Sequence, residues 1–285
     1  MALQSLLFTR APDLIVHLRG DIPRSAPLIG KLMQMQRSNK SLIDANLYVD
    51  TWPQPEIVLL ENLTYRRKNE VKQDPVLVYN RGSKEKLKDI IKSDQVLVSL
   101  TTLGESEFQD NDWNCSELVR TIAQEYGINV EVQACPEIYW LRDREHLIES
   151  ECPGGYRLAK LELHHADRIN NTWKFSSPHT LERLKRWIQH SDNVGVFCCD
   201  TDELVGWGLV AEAGCISALH TITEHRKKGI AKAVITRLTN LLLKANMVPY
   251  TYIEENNHIS QNLFQQMGFS NSEIRVAFFV LGKKE

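Results

Sequence analysis

The chain has 285 residues, of which 42% are hydrophobic and 25% are charged, and its formal net charge is −2 at pH 7. This length and apolar content suffice for two domains with separate cores, and the near-neutral charge argues against a dedicated nucleic-acid-binding protein. The six cysteines form no Cys-x-x-Cys pair and no Cys/His metal spacing, so we expect reduced thiols and no metal site.

Targeting signals are weak. The sequence contains no apolar run long enough to cross a bilayer and no secretory signal pattern, so we expect no membrane partner and a cytoplasmic location. The first twenty residues contain Arg10, Arg19 and a single acid, Asp13. A mitochondrial location is therefore the alternative.

The first 145 residues alternate strand-like and helical segments, which predicts an α/β domain. The predicted strands are 57–60, 76–79, 130–133 and 138–141, and the predicted helices are 84–91 and 116–126, the second ended by Gly127. Residues 142–155 are charged and end in Cys-Pro-Gly-Gly, a turn-rich sequence. We expect two domains, 1–145 and 156–285, joined by this segment.

The second half contains a longer series of elements around one central strand. The expected order is a strand at 156–163, helical stretches within 164–188, a hairpin of 194–199 and 205–211, a central strand at 214–221, a helix at 230–246, a strand at 250–253, and a helix at 259–267 ended by Gly268. The helix at 230–246 has an apolar stripe of i, i+3, i+4 type, which predicts that one face is buried.

A basic turn with one glycine connects the central strand to this helix. Helix N-termini expose N–H groups and partial positive charge, which suit an anion. Arg226, Lys227 and Lys228 add positive charge, and Gly229 allows a close approach to the main chain. Because neither a P-loop nor a G-x-G-x-x-G pattern is present, the turn predicts a site for another phosphorylated cofactor. The competing interpretation is a solvated cationic loop before a surface helix.

Two patterns in this region resemble one known superfamily. The spacing Arg226-x-x-Gly229-x-Ala231 after a strand resembles the acetyl-CoA signature of the GCN5-related N-acetyltransferases (GNATs). The residues from Asn257 to Phe269 are similar to the family's second signature, Asn-x-x-Ala-x-x-Leu-Tyr-x-x-x-Gly-Phe. The resemblance implies a GNAT fold of α/β (α+β) class over 156–285, with a mixed central sheet and helices on both faces. It also implies acyl-CoA or acetyl-CoA as co-substrate.

Residues 49–53, with Trp52 and Pro53, followed by the strand at 57–60, are similar to a segment of the glycine N-acyltransferases. Those proteins have about this length and place a degenerate GNAT-like domain before the CoA-binding one. The resemblance implies an acyl-CoA-dependent N-acyltransferase that acts on glycine or another amino acid by direct attack in a ternary complex. The alternatives are a GNAT that acts on another amine or a protein N-terminus, and a CoA-binding pseudoenzyme.

The GNAT resemblance also assigns cofactor contacts by position. The main chain at the end of the central strand would hold the thioester and pantetheine, the basic turn would hold the diphosphate, and the second signature would add further contacts. The implied residues are Leu219, His220, Thr221, Arg226, Lys227, Lys228, Gly229, Ile230, Ala231, Asn257 and Phe264. Asn257 could equally be a plain N-cap.

Two residues are candidates for the base that deprotonates the amine. Glu212 and His220 lie on or beside the central strand, and an imidazole suits proton transfer at neutral pH. His220 could instead be a core histidine, on a face with Ala218 and Ile222. Glycine N-acyltransferases place a glutamate base on this strand, and counting back from Arg226 puts Cys215 at that position.

A second departure from the family pattern concerns the leaving group. Phe264 stands where many GNATs have a tyrosine that can protonate the leaving thiolate, and a phenylalanine side chain has no proton to donate. The resemblance therefore implies that water or another donor takes over this step.

Overall fold

The computed structural model describes residues 3–37, 45–62, 73–92, 106–110, 113–174 and 176–283. The chain forms two compact units. The first contains Met1–Met35, Asn39–Ile138 and Glu273–Glu285, and the second contains Gln36–Ser38 and Tyr139–Ser272.

The described residues form fourteen strands and eight α-helices. The first half of the chain contains β1 Gln4–Ser5, α1 Ala11–Leu18, α2 Ala26–Arg37, β2 Ala45–Val49, β3 Ile57–Asn62, β4 Gln73–Asn80, α3 Lys84–Ile91, β5 Ser106–Asp110, α4 Trp113–Glu125, β6 Ile128–Ala134 and β7 Glu137–Trp140. The second half contains β8 Tyr156–Ala159, α5 Ala166–Thr172, α6 Pro178–His190, β9 Asn193–Cys198, β10 Leu204–Val210, β11 Ile216–Thr221, α7 Ile230–Lys244, β12 Tyr250–Ile253, α8 His258–Gln266, β13 Ser270–Arg275 and β14 Ala277–Lys283.

The described elements follow the same order in the two halves of the chain. The last strand of each half belongs to the sheet of the other half. The first sheet has the order β1-β2-β3-β4-β5-β14-β6, and the second has the order β13-β7-β12-β11-β10-β9-β8. In each sheet the strand from the other half stands between the fifth and sixth strands. The two domains 1–145 and 156–285 stay a proposal. With these bounds, each domain contributes its final strand to the sheet of the other.

Local sequence explains several element boundaries. The predicted helix at 84–91 and strand at 250–253 have the bounds of α3 and β12. The stretch 164–188 breaks into α5 and α6 because Ser177 starts a new helix: its Oγ accepts a hydrogen bond from Thr180 N at 3.1 Å, and Pro178 occupies the first turn.

Helix α7 packs closely on β10 because two glycines face it. A Cβ at Gly206 would lie 2.5 Å from Ile230 Cγ2, and a Cβ at Gly208 would lie 2.7 Å from Val234 Cγ1. Ile230 is the first residue of α7 and is buried. The close packing therefore fixes the N-terminus of the helix next to the end of β11.

None of the helices in the described residues has the length and apolar character needed to span a membrane. The same part of the chain contains no group of three or more His, Cys, Asp or Glu side chains that could hold a metal ion.

Candidate functional site

The basic turn between β11 and α7 exposes a set of main-chain N–H groups. After a short 3-10 turn at Thr223–His225, Lys227 and Gly229 both have left-handed backbone, with φ of 61° and 89°. Gly229 is the N-cap of α7 and provides no side-chain cap. Ala233 N donates to Gly229 O at 3.1 Å, so the helical N–H groups before Ala233 have no acceptor within the helix. Such a turn forms a concave site for an anion.

Cationic side chains surround this turn and are exposed. Arg226 Nε donates to Thr221 O at 3.0 Å, which ties the turn to the end of β11. Lys228 Nζ lies 3.2 Å from Tyr156 Oη, and that hydroxyl lies 2.9 Å from His225 Nδ1. The sequence did not single out Tyr156, because its position beside the turn depends on a tertiary contact between residues far apart in the chain.

Strand β11 contains a bulge in its pairing with β10. Trp207 pairs with His220 and Leu209 pairs with Ser217, so two residues of β11 stand opposite Gly208. Ala218, at the bulge, has a φ of 49°. On the other side, the pairing described between β11 and β12 is Ile216 with Thr251, near the start of both strands. Within the described residues, the β11 main chain after Ile216 therefore has no pairing with β12, which leaves the β12 side of the strand open.

His220 lies at the end of β11 with its ring stacked on Trp207, at a centroid distance of 4.9 Å and an interplanar angle of 22°. Burial, and then the charge of Arg226, lower the pKa of His220. The neutral imidazole that can accept a proton is thereby favoured. The prediction that His220 and Ala218 share one face of a regularly alternating strand is wrong. The bulge instead places Ser217, three residues before His220, on the same face as His220.

Glu212 lies at the opposite end of β11, in the turn after β10. Its carboxylate forms an ion pair with Arg186 at 3.4 Å. From Ile216 to His220 alone the strand spans roughly 13 Å at about 3.3 Å per residue. The structure therefore does not bring the two candidate bases together, and it places His220 nearer to the basic turn.

Cys215, at the position of the family's glutamate base, is a buried thiol. Burial raises the pKa of Cys215 to about 12. Its neighbour Tyr250 is fully buried and donates from its hydroxyl to Ala213 O at 2.6 Å. A thiol that stays protonated at neutral pH cannot act as the base.

We expect this thiol to resist alkylation in the folded protein. At pH 8, iodoacetamide should modify the exposed Cys199 while leaving Cys215 unmodified, because the thiolate is the reactive form. Peptide mass spectrometry measures the extent of alkylation of both cysteines in the native and in the denatured protein. After denaturation the two thiols should react equally. Equal labelling of Cys215 and Cys199 in the native protein would show that Cys215 is accessible and ionised.

Asn257 and Phe264, the two cofactor contacts predicted from the second signature, both contact other residues of the protein. Asn257 is the N-cap of α8, and its Oδ1 accepts a hydrogen bond from Ser260 N at 3.2 Å. Phe264 is buried, with its ring edge-on to Phe269 at 5.1 Å. The N-cap role of Asn257 is thus observed, and contacts of both residues with a cofactor stay proposals.

The sheet order, the bulged strand and the uncapped helix beside it have the arrangement of the GNAT fold. Residues 193–277 match the model of the FR47-like protein family, a GNAT family domain. The predicted GNAT relationship and the predicted fold class are confirmed.

The chain is also similar to proteins that match it over nearly its whole length. Glycine N-acyltransferase-like protein 2 of Homo sapiens is 23% identical over 271 residues, which cover 88% of each chain. The X-ray structure of a Drosophila protein has a TM-score of 0.78 at 13% identity and covers 98% of this chain and 97% of that one. A tandem GNAT protein from the clavulanic acid biosynthesis pathway has a TM-score of 0.53 at 12% identity, with 99% of both chains covered. The last similarity indicates that both halves of this chain have a GNAT-like fold.

Proposed function

We propose that the protein is an acyl-CoA-dependent N-acyltransferase that transfers an acyl group to the amine of glycine or another small amino acid. The observation that carries this proposal is the uncapped, left-handed Gly229 at the start of α7, beside the free edge of β11. The name of the human relative supports glycine as the acceptor class.

The corresponding turn of the first half, between β4 and α3, differs in a way that supports one cofactor site per chain. Ser83 caps α3 by accepting a hydrogen bond from Lys86 N at 3.2 Å, and Asn80 Oδ1 accepts one from Gly82 N at 2.9 Å. Arg81 N donates to Glu56 O at 2.7 Å. Because these groups are already paired, we assign the cofactor to the second unit alone.

In the proposed complex the diphosphate binds the main-chain N–H groups from Lys227 to Ala231, and Arg226 and Lys228 add charge. The pantetheine arm follows the free edge of β11 along Leu219 and Thr221. This arrangement directs the thioester towards the gap between β11 and β12.

The reaction then requires one proton acceptor and one proton donor. The amine nitrogen attacks the thioester carbonyl, the carbon–sulfur bond breaks, and the CoA thiolate leaves. We assign His220 as the group that takes the amine proton, directly or through one water, because its pKa is lowered and it lies next to the turn. Water protonates the leaving thiolate, since Phe264 cannot.

We expect His220→Gln to lower kcat by about 10²-fold or more, because a positioned base contributes roughly 10²–10⁴ in rate. Glu212→Gln, the matched carboxylate-to-amide change at the other end of β11, should leave kcat within a few-fold of wild type. The wild-type rate should fall as pH drops below the usual histidine range, since protonated His220 cannot accept a proton, and His220→Gln should lose this limb. Steady-state kinetics from pH 5 to 8 measure kcat of the wild type and of both variants. A larger loss of kcat in Glu212→Gln than in His220→Gln would reverse the assignment.

Release of free CoA thiol with a panel of acceptors tests the overall proposal. We expect release above the buffer blank with glycine or another amino acid. Faster release with polyamines, arylalkylamines or peptide N-termini would identify the alternative GNAT activity. Tight CoA binding without release from any acceptor would identify a CoA-binding pseudoenzyme.

We keep a cytoplasmic location as the proposal, with a mitochondrial location as the alternative. The segment between Arg10 and Arg19 forms α1, whose Leu14 and Leu18 are buried in the core of the first unit. Microscopy of the full chain with a C-terminal tag distinguishes the two compartments.

A further inference from the structure

Tyr156, His225 and Lys228 form a hydrogen-bonded cluster beside the basic turn, and the proposed mechanism gives Tyr156 and His225 no role. Lys228 Nζ lies 3.2 Å from Tyr156 Oη, and the cation lies 5.9 Å from the centroid of the tyrosine ring. The same hydroxyl lies 2.9 Å from His225 Nδ1, and the two rings meet edge-on at 5.7 Å.

The proton arrangement in this cluster follows from the donors available. An ammonium group can only donate, so Lys228 donates to the oxygen of Tyr156. The hydroxyl proton of Tyr156 is then available for a hydrogen bond to His225 Nδ1. The hydroxyl thus holds Lys228 in one orientation without neutralising its charge.

The sheet order shows on which side of the turn this charge lies. Tyr156 begins β8, the edge strand, which is separated from β11 by β9 and β10. The gap for the pantetheine arm lies on the opposite side of β11, towards β12. Pro153, three residues before Tyr156, is also near the turn, since a Cβ at Gly229 would lie 3.8 Å from Pro153 Cγ. Lys228 is therefore oriented away from the gap.

In coenzyme A the diphosphate joins the pantetheine arm to an adenosine that carries a 3′-phosphate. In the proposed complex the arm leaves the turn towards β12. We therefore expect the adenosine, at the other end of the diphosphate, on the side of β8. We propose that Lys228, positioned by Tyr156, recognises the 3′-phosphate and thereby makes the site selective for CoA over dephospho-CoA. This inference rests on the proposed function, and Tyr156 is a positioning residue that acts through Lys228.

Calorimetric titration of the full chain with CoA and with dephospho-CoA tests the proposal. Wild type should prefer CoA by about tenfold or more, the effect of one hydrogen bond to a charged group. Lys228→Met should abolish this preference, and its loss of affinity for dephospho-CoA, which keeps the diphosphate, should be smaller than its loss for CoA. Tyr156→Phe, which keeps the ring and removes the hydroxyl, should reduce the preference about 3- to 10-fold, as expected for one lost hydrogen bond.

Two matched variants control for general effects. Lys244→Met removes an exposed lysine at the other end of α7, and Tyr126→Phe removes a hydroxyl from an exposed tyrosine of the first unit. Both should keep the wild-type preference. A purely structural role of Tyr156 would weaken both ligands equally and leave their ratio unchanged, which would overturn the inference. If wild type binds neither ligand, the proposed function itself fails; if it binds both equally, only the 3′-phosphate assignment fails.

Discussion

Replacing Gly229 with valine is expected to lower CoA affinity by about 100-fold or more, because hydrogen bonds to a charged group contribute roughly 1.5–3 kcal/mol each. Gly229 has a φ of 89°, a conformation that is an outlier for a β-branched residue. The valine would therefore turn the backbone away from its left-handed geometry and would reorient the amides of the turn. Isothermal titration calorimetry with CoA measures the loss.

Gly127→Val is the matched control for backbone strain. Gly127 also has left-handed backbone, with a φ of 70°, and a Cβ there would meet no atom within 4 Å. Both substitutions should cost stability, of the order of 1–3 kcal/mol for one strained residue, but only Gly229→Val should weaken CoA binding. Equal CoA affinities of the two variants would mean that the turn at Gly229 does not hold the cofactor.

The second large effect is expected from a single methyl group between β10 and α7. Gly206→Ala should destabilise the protein by about 1–3 kcal/mol, the usual cost of overpacking a core, because the new Cβ would lie 2.5 Å from Ile230 Cγ2. Since Ile230 is the first residue of α7, its displacement should also shift the amides of the turn and weaken CoA binding. Urea unfolding and CoA titration measure the two effects.

A double-mutant cycle and a substitution at a second glycine test whether the clash with Ile230 causes the destabilisation. Gly206→Ala should cost less in the background of Ile230→Ala, where the clashing methyl is absent, with a coupling energy of about 1 kcal/mol or more. Gly208→Ala clashes with Val234, further along α7, and should lower stability with a smaller effect on CoA affinity. Strict additivity in the cycle would show that the packing of Ile230 on Gly206 does not cause the destabilisation.

The elements around the cofactor turn could be predicted because their signals are local. The strand at 250–253 is short and rich in β-forming residues before a helix N-cap, and the helix from Ile230 has an apolar stripe that begins after a glycine. The turn itself was identified from the spacing of Arg226 and Gly229. Each of these signals lies within a few residues of the element that it determines.

The features that the sequence did not predict depend on contacts between distant residues. Strand β14 pairs with β5 and β6, more than 130 residues earlier in the chain by the numbering, and no local pattern specifies a strand's partner. The bulge changes the face of His220 relative to Ala218, and Ala218 has left-handed backbone without being a glycine, so residue type did not indicate it. The cluster at Tyr156 likewise joins β8 to a turn 70 residues away.

Hydrogen exchange with and without CoA tests most directly whether the N–H groups around Gly229 bind the cofactor's diphosphate. Peptides that cover 223–234 should exchange more slowly when CoA is bound, because these amides gain an acceptor. Peptides that cover 81–90, the turn of the first half whose N-terminus is already capped by Ser83, should be unchanged. CoA binding without added protection of 223–234, or no binding at all, would contradict the account.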